Sequence, residues 1–186
     1  RLRAGRTRRQ AWKGFGANDA KFKRVRLRTA DLEQLRADHG DKAEATERVF
    51  KGGAASCPEE MARARFTALK VKDALFLART ERDSSRETVD DRAFGWAVSL
   101  GLEEPTDKEQ LTDRMKALRS AKSIQVLDAN DEEVEFTFDL EYEYTLHERS
   151  RFIENSKWGY IYSGSSVFTK WKDKEGDELD EENKEE

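Results

Sequence analysis

The sequence predicts an α+β fold in which helices lie on one face of a curved antiparallel sheet. Between Thr29 and Ser120, capping residues and apolar residues at helical spacing predict a series of short helices. After Ser120, apolar and charged residues alternate, which is typical of half-buried antiparallel strands. Helices in one part of a chain followed by strands in the next indicate an α+β domain rather than an alternating α/β fold.

The composition excludes several classes of protein. Of the 186 residues, 36% are hydrophobic and 40% are charged, so we expect part of the chain to lie outside a packed core. No apolar run approaches the roughly 20 residues needed to span a bilayer, which excludes an integral membrane protein. One cysteine excludes a disulfide framework and a multi-cysteine zinc site, and two histidines offer little for a metal centre. We therefore expect no metal and no cofactor.

Two short helices are predicted ahead of the main domain. Thr29 is expected to cap the first helix, and Gly40 is expected to end it. The second helix is expected over Asp41–Phe50, where a pair of glycines follows and stops it. We interpret residues 29–53 as a helical linker that joins an N-terminal arm to the folded domain.

The main domain is expected over residues 54–171. A capping box at Ser56–Glu59, with a proline in the first turn, opens its first helix. Asp73 is expected to cap the next turn, and a second capping box at Thr106–Glu109 opens a later helix. Four apolar stripes on these helices are expected to form the core: Ala62, Phe66 and Leu69; Leu75, Phe76 and Leu77; Val89, Ala93, Trp96, Ala97 and Leu100; and Leu111, Met115 and Leu118.

The strands are expected after residue 120. Asn155–Ser156 predicts a turn that leads into a strand at Trp158–Tyr162. Gly164 is expected to begin another turn, and Val167–Trp171 is the last predicted strand. Six alternating apolar residues are expected to face the core: Val134, Phe136, Phe138, Leu140, Tyr142 and Tyr144.

The two ends of the chain carry opposite charge. Residues 1–36 contain twelve basic and three acidic side chains, whereas residues 172–186 contain three basic and nine acidic side chains. Because like charges repel and bury little surface, we expect a basic extended arm at 1–28 and an acidic disordered tail at 172–186. The arm fits either RNA phosphates or an acidic protein surface. The expected contacts are Arg1, Arg3, Arg6, Arg8, Arg9, Trp12, Lys13, Lys21, Lys23, Arg24, Arg26 and Arg28.

The N-terminal composition also bears on the compartment. Residues 1–28 are rich in arginine and poor in acidic residues, as organellar presequences are. The first residue is Arg1 and not methionine, so we expect a processed or truncated end. We predict an organellar location, in a chloroplast or mitochondrion, with the cytoplasm as the alternative.

Two stretches resemble a known family. Pro58–Leu69, with the sequence Pro-Glu-Glu-Met-Ala-Arg-Ala-Arg-Phe-Thr-Ala-Leu, resembles the opening helix of the YchJ-like domain. Leu146–Phe152, with the sequence Leu-His-Glu-Arg-Ser-Arg-Phe, followed by Trp158-Gly-Tyr160, resembles the signature strands of that domain. The resemblance covers roughly residues 48–164.

The resemblance implies a fold more firmly than an activity. The implied fold is the nuclear transport factor two-like, or cystatin-like, cone, in which helices wrap against a strongly curved antiparallel sheet. Bacterial relatives carry a cysteine-rich SEC-C zinc motif beside this domain. The matching positions here have no cysteines, so the resemblance implies no zinc.

The signature strand defines a candidate pocket. If Leu146 and Phe152 face the core, strand alternation turns Glu148 and Ser150 inward as well. An inward carboxylate is costly unless it is paired or hydrogen-bonded. It is expected either to act as a general base or ligand contact, or to be satisfied by backbone amides or by Arg63 or Arg65. The candidate pocket residues are Glu148, Ser150, Trp158 and Tyr160, and His147, Arg149 and Arg151 are expected on the opposite, solvated face.

Three functions remain open at this point. The first is a non-catalytic accessory subunit that docks onto a larger protein or ribonucleoprotein assembly through the basic arm and the acidic tail. The second is a small pocket enzyme, a hydrolase or isomerase that uses Glu148. The third is an RNA-binding adaptor that uses the Arg- and Lys-rich residues 1–28. The first is our prediction, and no catalytic residue is assigned.

Overall fold

The computed structural model describes residues 22–83, 87–104, 118–141, 145–172 and 178–179, and it confirms the α+β fold. Within these residues the helices are α1 (Thr29–His39), α2 (Ala43–Phe50), α3 (Pro58–Val71), α4 (Ala74–Arg79) and α5 (Val89–Ser99), with a 3₁₀ turn at Gly40–Lys42. The strands are β1 (Ser123–Ala129), β2 (Glu133–Asp139), β3 (Thr145–Asn155), β4 (Gly159–Lys172) and β5 (Glu178–Leu179).

The strands form one antiparallel sheet in the order β1-β2-β3-β4-β5, so each strand pairs with its neighbours in the sequence. Register irregularities interrupt the pairing of β1 with β2 and of β3 with β4. Such irregularities bend strands and increase their twist. No helix among the described residues is both long and apolar enough to cross a membrane.

The core lies between α3 and one face of the sheet. Val134, Phe136 and Phe138 of β2 are buried, as the two-residue alternation predicts. The ring of Phe66 on α3 packs 5.2 Å from the ring of Phe138. All three predicted α3 core residues are buried, including Ala62. The alternating pattern therefore places the helices on the apolar face of the sheet.

The segment 29–53 belongs to this core, where a linker was predicted. Leu35 of α1 is buried, and Val49 and Phe50 of α2 are part of the main hydrophobic cluster. The ring of Phe50 lies 5.1 Å from the ring of Phe76 on α4. The short helices are therefore packed against the domain through these buried apolar residues.

The predicted helix boundaries are correct at the start of α4 and the end of α1, and wrong at the starts of α1 and α3. Asp73 caps α4 by accepting a hydrogen bond from the Phe76 amide at 2.8 Å. Arg28 and not Thr29 precedes α1, and its amide donates to the Asp31 carboxylate at 2.7 Å. The box predicted at Ser56–Glu59 is displaced by one residue, because the Ser56 amide donates to Glu60 at 2.7 Å. The second correct boundary is Gly40, which follows α1 with φ +54°.

The end of the sheet differs from the prediction at Gly164. β4 is one continuous strand that pairs with β3 on both sides of this glycine, where a turn between two strands was predicted. The pairing moves from Phe152 opposite Tyr162 to Ser150 opposite Ser166, so three residues of β4 bulge out around Gly164. Gly164 has φ +83°, which a bulge accommodates and which a glycine adopts without strain.

The remaining predictions concern the C-terminal tail and segments that lie partly or wholly outside the described residues. β5 lies within the predicted disordered tail 172–186 and pairs with β4, so that part of the tail is a strand. The helix predicted from Thr106, the inward positions Tyr142 and Tyr144, and arm residues 1–21 lie outside the described residues.

Candidate functional site

A buried polar cluster lies where β3 and β4 pair beside the bulge. Leu146 and Phe152 are buried, and Glu148 and Ser150 between them are 5% and 3% exposed. One carboxylate oxygen of Glu148, Oε1, accepts hydrogen bonds from the hydroxyls of Ser150 and Ser166, the latter at 2.6 Å. The bulge turns Ser166 toward this carboxylate, so the sheet supplies both donors.

Tyr162 extends the cluster along β4. Its hydroxyl lies 2.7 Å from the Ser166 hydroxyl, and the Ser150 and Ser166 hydroxyls are 2.8 Å apart. Glu148, the two serines and Tyr162 thus form a connected hydrogen-bond network inside the domain. Networks of this kind are stabilising when their members are satisfied, and they fix side-chain orientations in a core.

Arg65 on α3 brings a positive charge to the same interior. Its Nη1 donates to the Leu77 carbonyl at 2.8 Å and to the Thr80 hydroxyl at 2.9 Å. The guanidinium lies over the rings of Trp96 and Tyr162, at 5.5 and 5.0 Å from their centroids. Burial lowers the pKa of Arg65, and the nearby carboxylates of Glu81 and Glu148 oppose this shift. An arginine stays protonated under such conditions, so Arg65 is a buried cation.

The cavity at this cluster is small. It measures about 60 Å³ and is walled largely by apolar rings, with Arg65, Glu148 and Ser150 among its lining residues. A volume of that size holds a few water molecules, at about 10 to 15 Å³ each. Pockets for organic ligands measure about 300 to 1,000 Å³. The described residues around Glu148 therefore leave room for water and not for a substrate of ordinary size.

Half of the predicted pocket lies elsewhere. Trp158 is buried in the turn before β4, where its ring packs 5.6 Å from the ring of Phe76. Tyr160 lines a separate surface depression beside Arg151. Neither lines the cavity that holds Glu148 and Ser150, because Trp158 lies in the β3–β4 turn and Tyr160 lies next to that turn at the start of β4. Their assignment to that pocket is wrong.

Trp96 and Tyr162 also line the cavity, although the sequence pattern did not predict either of them as a pocket residue. Trp96 was assigned to the core stripe of α5, and Tyr162 was not singled out. A signal for Tyr162 was present, because the two-residue period that points Tyr160 to one face of β4 points Tyr162 to the same face. Trp96 has a polar contact as well, since its Nε1 donates to Glu81 at 2.8 Å.

The opposite face of the sheet is a charged surface, as predicted. His147 lies 2.7 Å from a carboxylate oxygen of Glu135, and Arg149 donates to the other oxygen of the same group. These hydrogen bonds from Arg149 and His147 lower the pKa of Glu135. Across the described residues no group of three or more histidine, cysteine, aspartate or glutamate side chains could hold a metal ion.

Of the basic residues in 22–28, two make contacts that stabilise the domain and two are exposed. Arg24 stabilises the domain: its guanidinium donates to the Phe50 carbonyl and its Nε lies 3.7 Å from Asp73. Arg28 is used by the cap of α1, where it pairs with Asp31 at 3.1 Å. Lys23 and Arg26 are exposed, and among the described residues neither makes an ion pair or side-chain hydrogen bond. Residues 22–28 are thus laid on the domain, where a free arm was predicted.

The fold and the buried cluster define a domain with helices on one face of an antiparallel sheet and a polar interior. The YchJ middle NTF2-like domain is the family model that matches, over residues 57–163. This match covers more than half of the chain, so the chain belongs to the YchJ middle NTF2-like domain family. No curated protein and no solved structure gives a match.

Proposed function

We propose that this protein is a non-catalytic accessory subunit that docks onto a larger protein or ribonucleoprotein assembly, with an organelle as its compartment. The observation that carries the proposal is the environment of Glu148, which is hydrogen-bonded and enclosed in a small cavity. Its carboxylate accepts hydrogen bonds from Ser150 and Ser166 within a cavity of about 60 Å³. A general base must reach the proton that it removes from a substrate, and a cavity of this size leaves little room for one.

The charge distribution supports docking. Residues 1–36 carry a net charge of +9, from twelve basic and three acidic side chains, and residues 172–186 carry −6, from nine acidic and three basic ones. Residues 22–36 are packed on the domain, so docking by charge would use residues 1–21, with seven basic and one acidic side chains, and the acidic residues 172–186. Lys23 and Arg26, at the boundary of the folded domain, point outward without ion pairs among the described residues.

The test is capture of the assembly by the 186-residue chain. A tagged chain would be cross-linked in the cells that make it, purified at about 0.1 M salt, and its partners identified by mass spectrometry. The matched variant replaces five arm arginines with glutamine: Arg1, Arg3, Arg6, Arg8 and Arg9. We expect a defined set of partners that the variant loses. Recovery of the chain alone, or equal recovery by both forms, would contradict the proposal.

An enzyme remains the second candidate because Glu148 is a buried carboxylate close to the Arg65 cation and the aromatic rings. Its test is the isosteric Glu148→Gln variant in a screen of ester hydrolysis and isomerisation substrates. An enzyme would lose turnover while its folded structure persists. The absence of turnover in both forms would leave the docking function as the account of this domain.

The RNA-binding adaptor makes a different prediction about salt. Each phosphate neutralised by an arm side chain releases counterions, so RNA retention would fall steeply between about 50 and 200 mM salt. A protein partner would show a milder decrease because fewer counterions are released. Filter binding with a single-stranded RNA at the two salt concentrations separates the two partners.

A further inference from the structure

A basic groove lies where residues 22–28 cross α1 and the end of α2. It measures about 360 Å³, and its polar lining consists of Arg24, Arg26 and Lys51. Its remaining lining residues are apolar: Leu27, Leu32 and Phe50 are among them. No carboxylate lines this groove among the described residues. Asp73 lies beside Arg24 and Glu47 pairs with Lys51, so Arg26 gives the groove its net positive charge, and the base of the groove is apolar.

The three cations of the groove are held differently. Arg24 is fixed, since it stacks over the rings of Phe50 and Phe76 at 5.4 Å from each centroid and lies beside Asp73. Lys51 pairs with Glu47 one helical turn earlier on α2, with its side chain 61% exposed. Arg26 is exposed and makes no ion pair among the described residues. Arg26 and Lys51 are therefore accessible to a ligand, whereas Arg24 shapes the groove.

We infer that this groove binds an extended acidic peptide segment of a partner protein. The inference rests on the proposed docking function and names the chemistry of its partner. Carboxylates of such a segment pair with Arg26 and Lys51, as arginine clusters pair with acidic motifs. An apolar side chain of the same segment covers Leu27 and Leu32 at the base. Residues 1–21, which precede the groove in the sequence, are also basic, with seven lysine and arginine side chains against one aspartate.

The lining favours a peptide over RNA. Proteins that bind single-stranded RNA combine basic grooves with aromatic rings on which the bases stack. The aromatic ring in this groove belongs to Phe50, which is 1% exposed and lies beneath the Arg24 guanidinium. No exposed aromatic side chain lines the groove among the described residues. A base therefore has no ring to stack on here.

The experiment measures binding of a labelled peptide to the 186-residue chain. The probe is a fluorescein-labelled twelve-residue peptide in which four Leu alternate with pairs of Glu, and a twelve-nucleotide single-stranded RNA is run in parallel. The groove variant is Arg26→Glu/Lys51→Glu. The matched control is Arg82→Glu/Lys122→Glu, which makes the same change of charge at exposed residues that do not line the groove. Thermal unfolding of both variants verifies that they fold.

We expect the groove variant to bind the peptide at least about tenfold more weakly than the wild-type chain, and the control variant to stay within about twofold. Equal losses in the two variants would overturn the inference, because they would reflect net charge alone. A groove variant that lost RNA binding and kept peptide binding would also overturn it. So would a chain lacking residues 180–186 that bound the peptide tenfold more tightly, because the occupant would then be an acidic segment of the chain itself.

Failure of this inference is distinguishable from failure of the proposed function. If the wild-type chain and Arg26→Glu/Lys51→Glu recover the cross-linked partners equally, the inference that the groove binds the partner is wrong, and the proposed docking function stands. If no partner set is recovered by the wild-type chain, the docking function itself is wrong. Loss of the same partners from the groove variant, with retention by Arg82→Glu/Lys122→Glu, supports both.

Discussion

Gly159, the first residue of β4, packs directly against the backbone of Ala55. The Ala55 amide donates to the neighbouring Trp158 carbonyl at 2.8 Å, and a Cβ on Gly159 would lie 1.9 Å from the Ala55 carbonyl oxygen. Gly159 also has φ +72°, a conformation that side-chain-bearing residues rarely adopt. This contact joins the chain before α3 to the β3–β4 turn, so the helical layer and the sheet are fixed to each other at that point.

Replacing Gly159 with alanine should therefore destabilise the fold strongly. We expect Gly159→Ala to lower the free energy of unfolding by about 3 to 5 kcal/mol, from backbone strain together with overpacking. The matched control is Gly164→Ala, at φ +83° with no atom within 4 Å of the added Cβ, which should cost about 1 to 2 kcal/mol. Urea denaturation measures both values. Equal losses at the two glycines would show that the contact with Ala55 contributes nothing.

Removing the charge of Glu148 tests whether the buried cluster stabilises the fold. Glu148→Leu removes the acceptor of two hydroxyls and an opposite charge near buried Arg65, and should cost about 3 to 5 kcal/mol. Glu148→Gln keeps the shape and one acceptor oxygen, and should cost less, about 1 to 2 kcal/mol. Glu132→Gln on the exposed face is the control, with a change within about 0.5 kcal/mol. Chemical denaturation measures the free energy of unfolding of each variant. A Glu148→Leu variant as stable as Glu148→Gln would contradict the structural role of the carboxylate.

His39 makes the stability depend on pH. The side chain is 4% exposed, and burial, with a smaller contribution from the Arg63 charge, lowers its pKa to about 4 from an ordinary value of 6.5. Because the folded state binds this proton less readily than the unfolded state, stability is lost as pH falls through 6.5 and the loss is complete below about 4. The full effect is about 3 kcal/mol.

The measurement is the free energy of unfolding between pH 7 and pH 4 for the wild-type chain and for His39→Gln. The difference between the two should shrink as pH falls, since the variant has no group to protonate at this position. A difference between wild type and His39→Gln that does not change with pH would contradict the burial effect.

Asp73 holds residues 22–28 on the domain through its contacts with Arg24 and Val25. Its carboxylate accepts hydrogen bonds from the Phe76 amide at 2.8 Å and from the Val25 amide at 3.3 Å. Asp73→Ala should cost about 2 to 4 kcal/mol, through loss of the helix cap and of the charge that faces Arg24. It should also speed hydrogen exchange of the Val25 amide. Asp91→Ala removes an exposed carboxylate that accepts hydrogen bonds from the amide and hydroxyl of Thr88 at the start of α5, and should cost about 1 kcal/mol without affecting Val25.

The sequence predicted most of the fold because its signals were local. The alternation of Val134, Phe136 and Phe138 and the cap at Asp73 each depend on neighbouring residues, and the structure confirms them. β1 was not identified as a strand because Ile124 is its single buried apolar residue, too short a pattern for periodicity to detect.

The remaining errors arose from contacts distant in sequence. Gly164 was assigned to a turn because glycine marks turns and bulges alike, and the pairing with β3 decides between them. Trp158 and Tyr160 were assigned to the pocket from their place in the family signature, while the position of the cavity depends on how α3 and α5 pack on the sheet. Arg65 was one of two candidate partners for Glu148, and Arg63 instead pairs with Glu59 at 2.8 Å.

Capture of partners under matched conditions tests the central claim that this domain docks rather than catalyses. The wild-type chain, Glu148→Gln and the arm variant with five arginines replaced by glutamine would be cross-linked and purified separately, in equal amounts and under the same conditions. Each partner would then be quantified by mass spectrometry. We predict that Glu148→Gln recovers the same partners as the wild type, and that the arm variant recovers roughly tenfold less of each. Equal recovery by the arm variant, or loss of partners from a folded Glu148→Gln chain, would contradict the account.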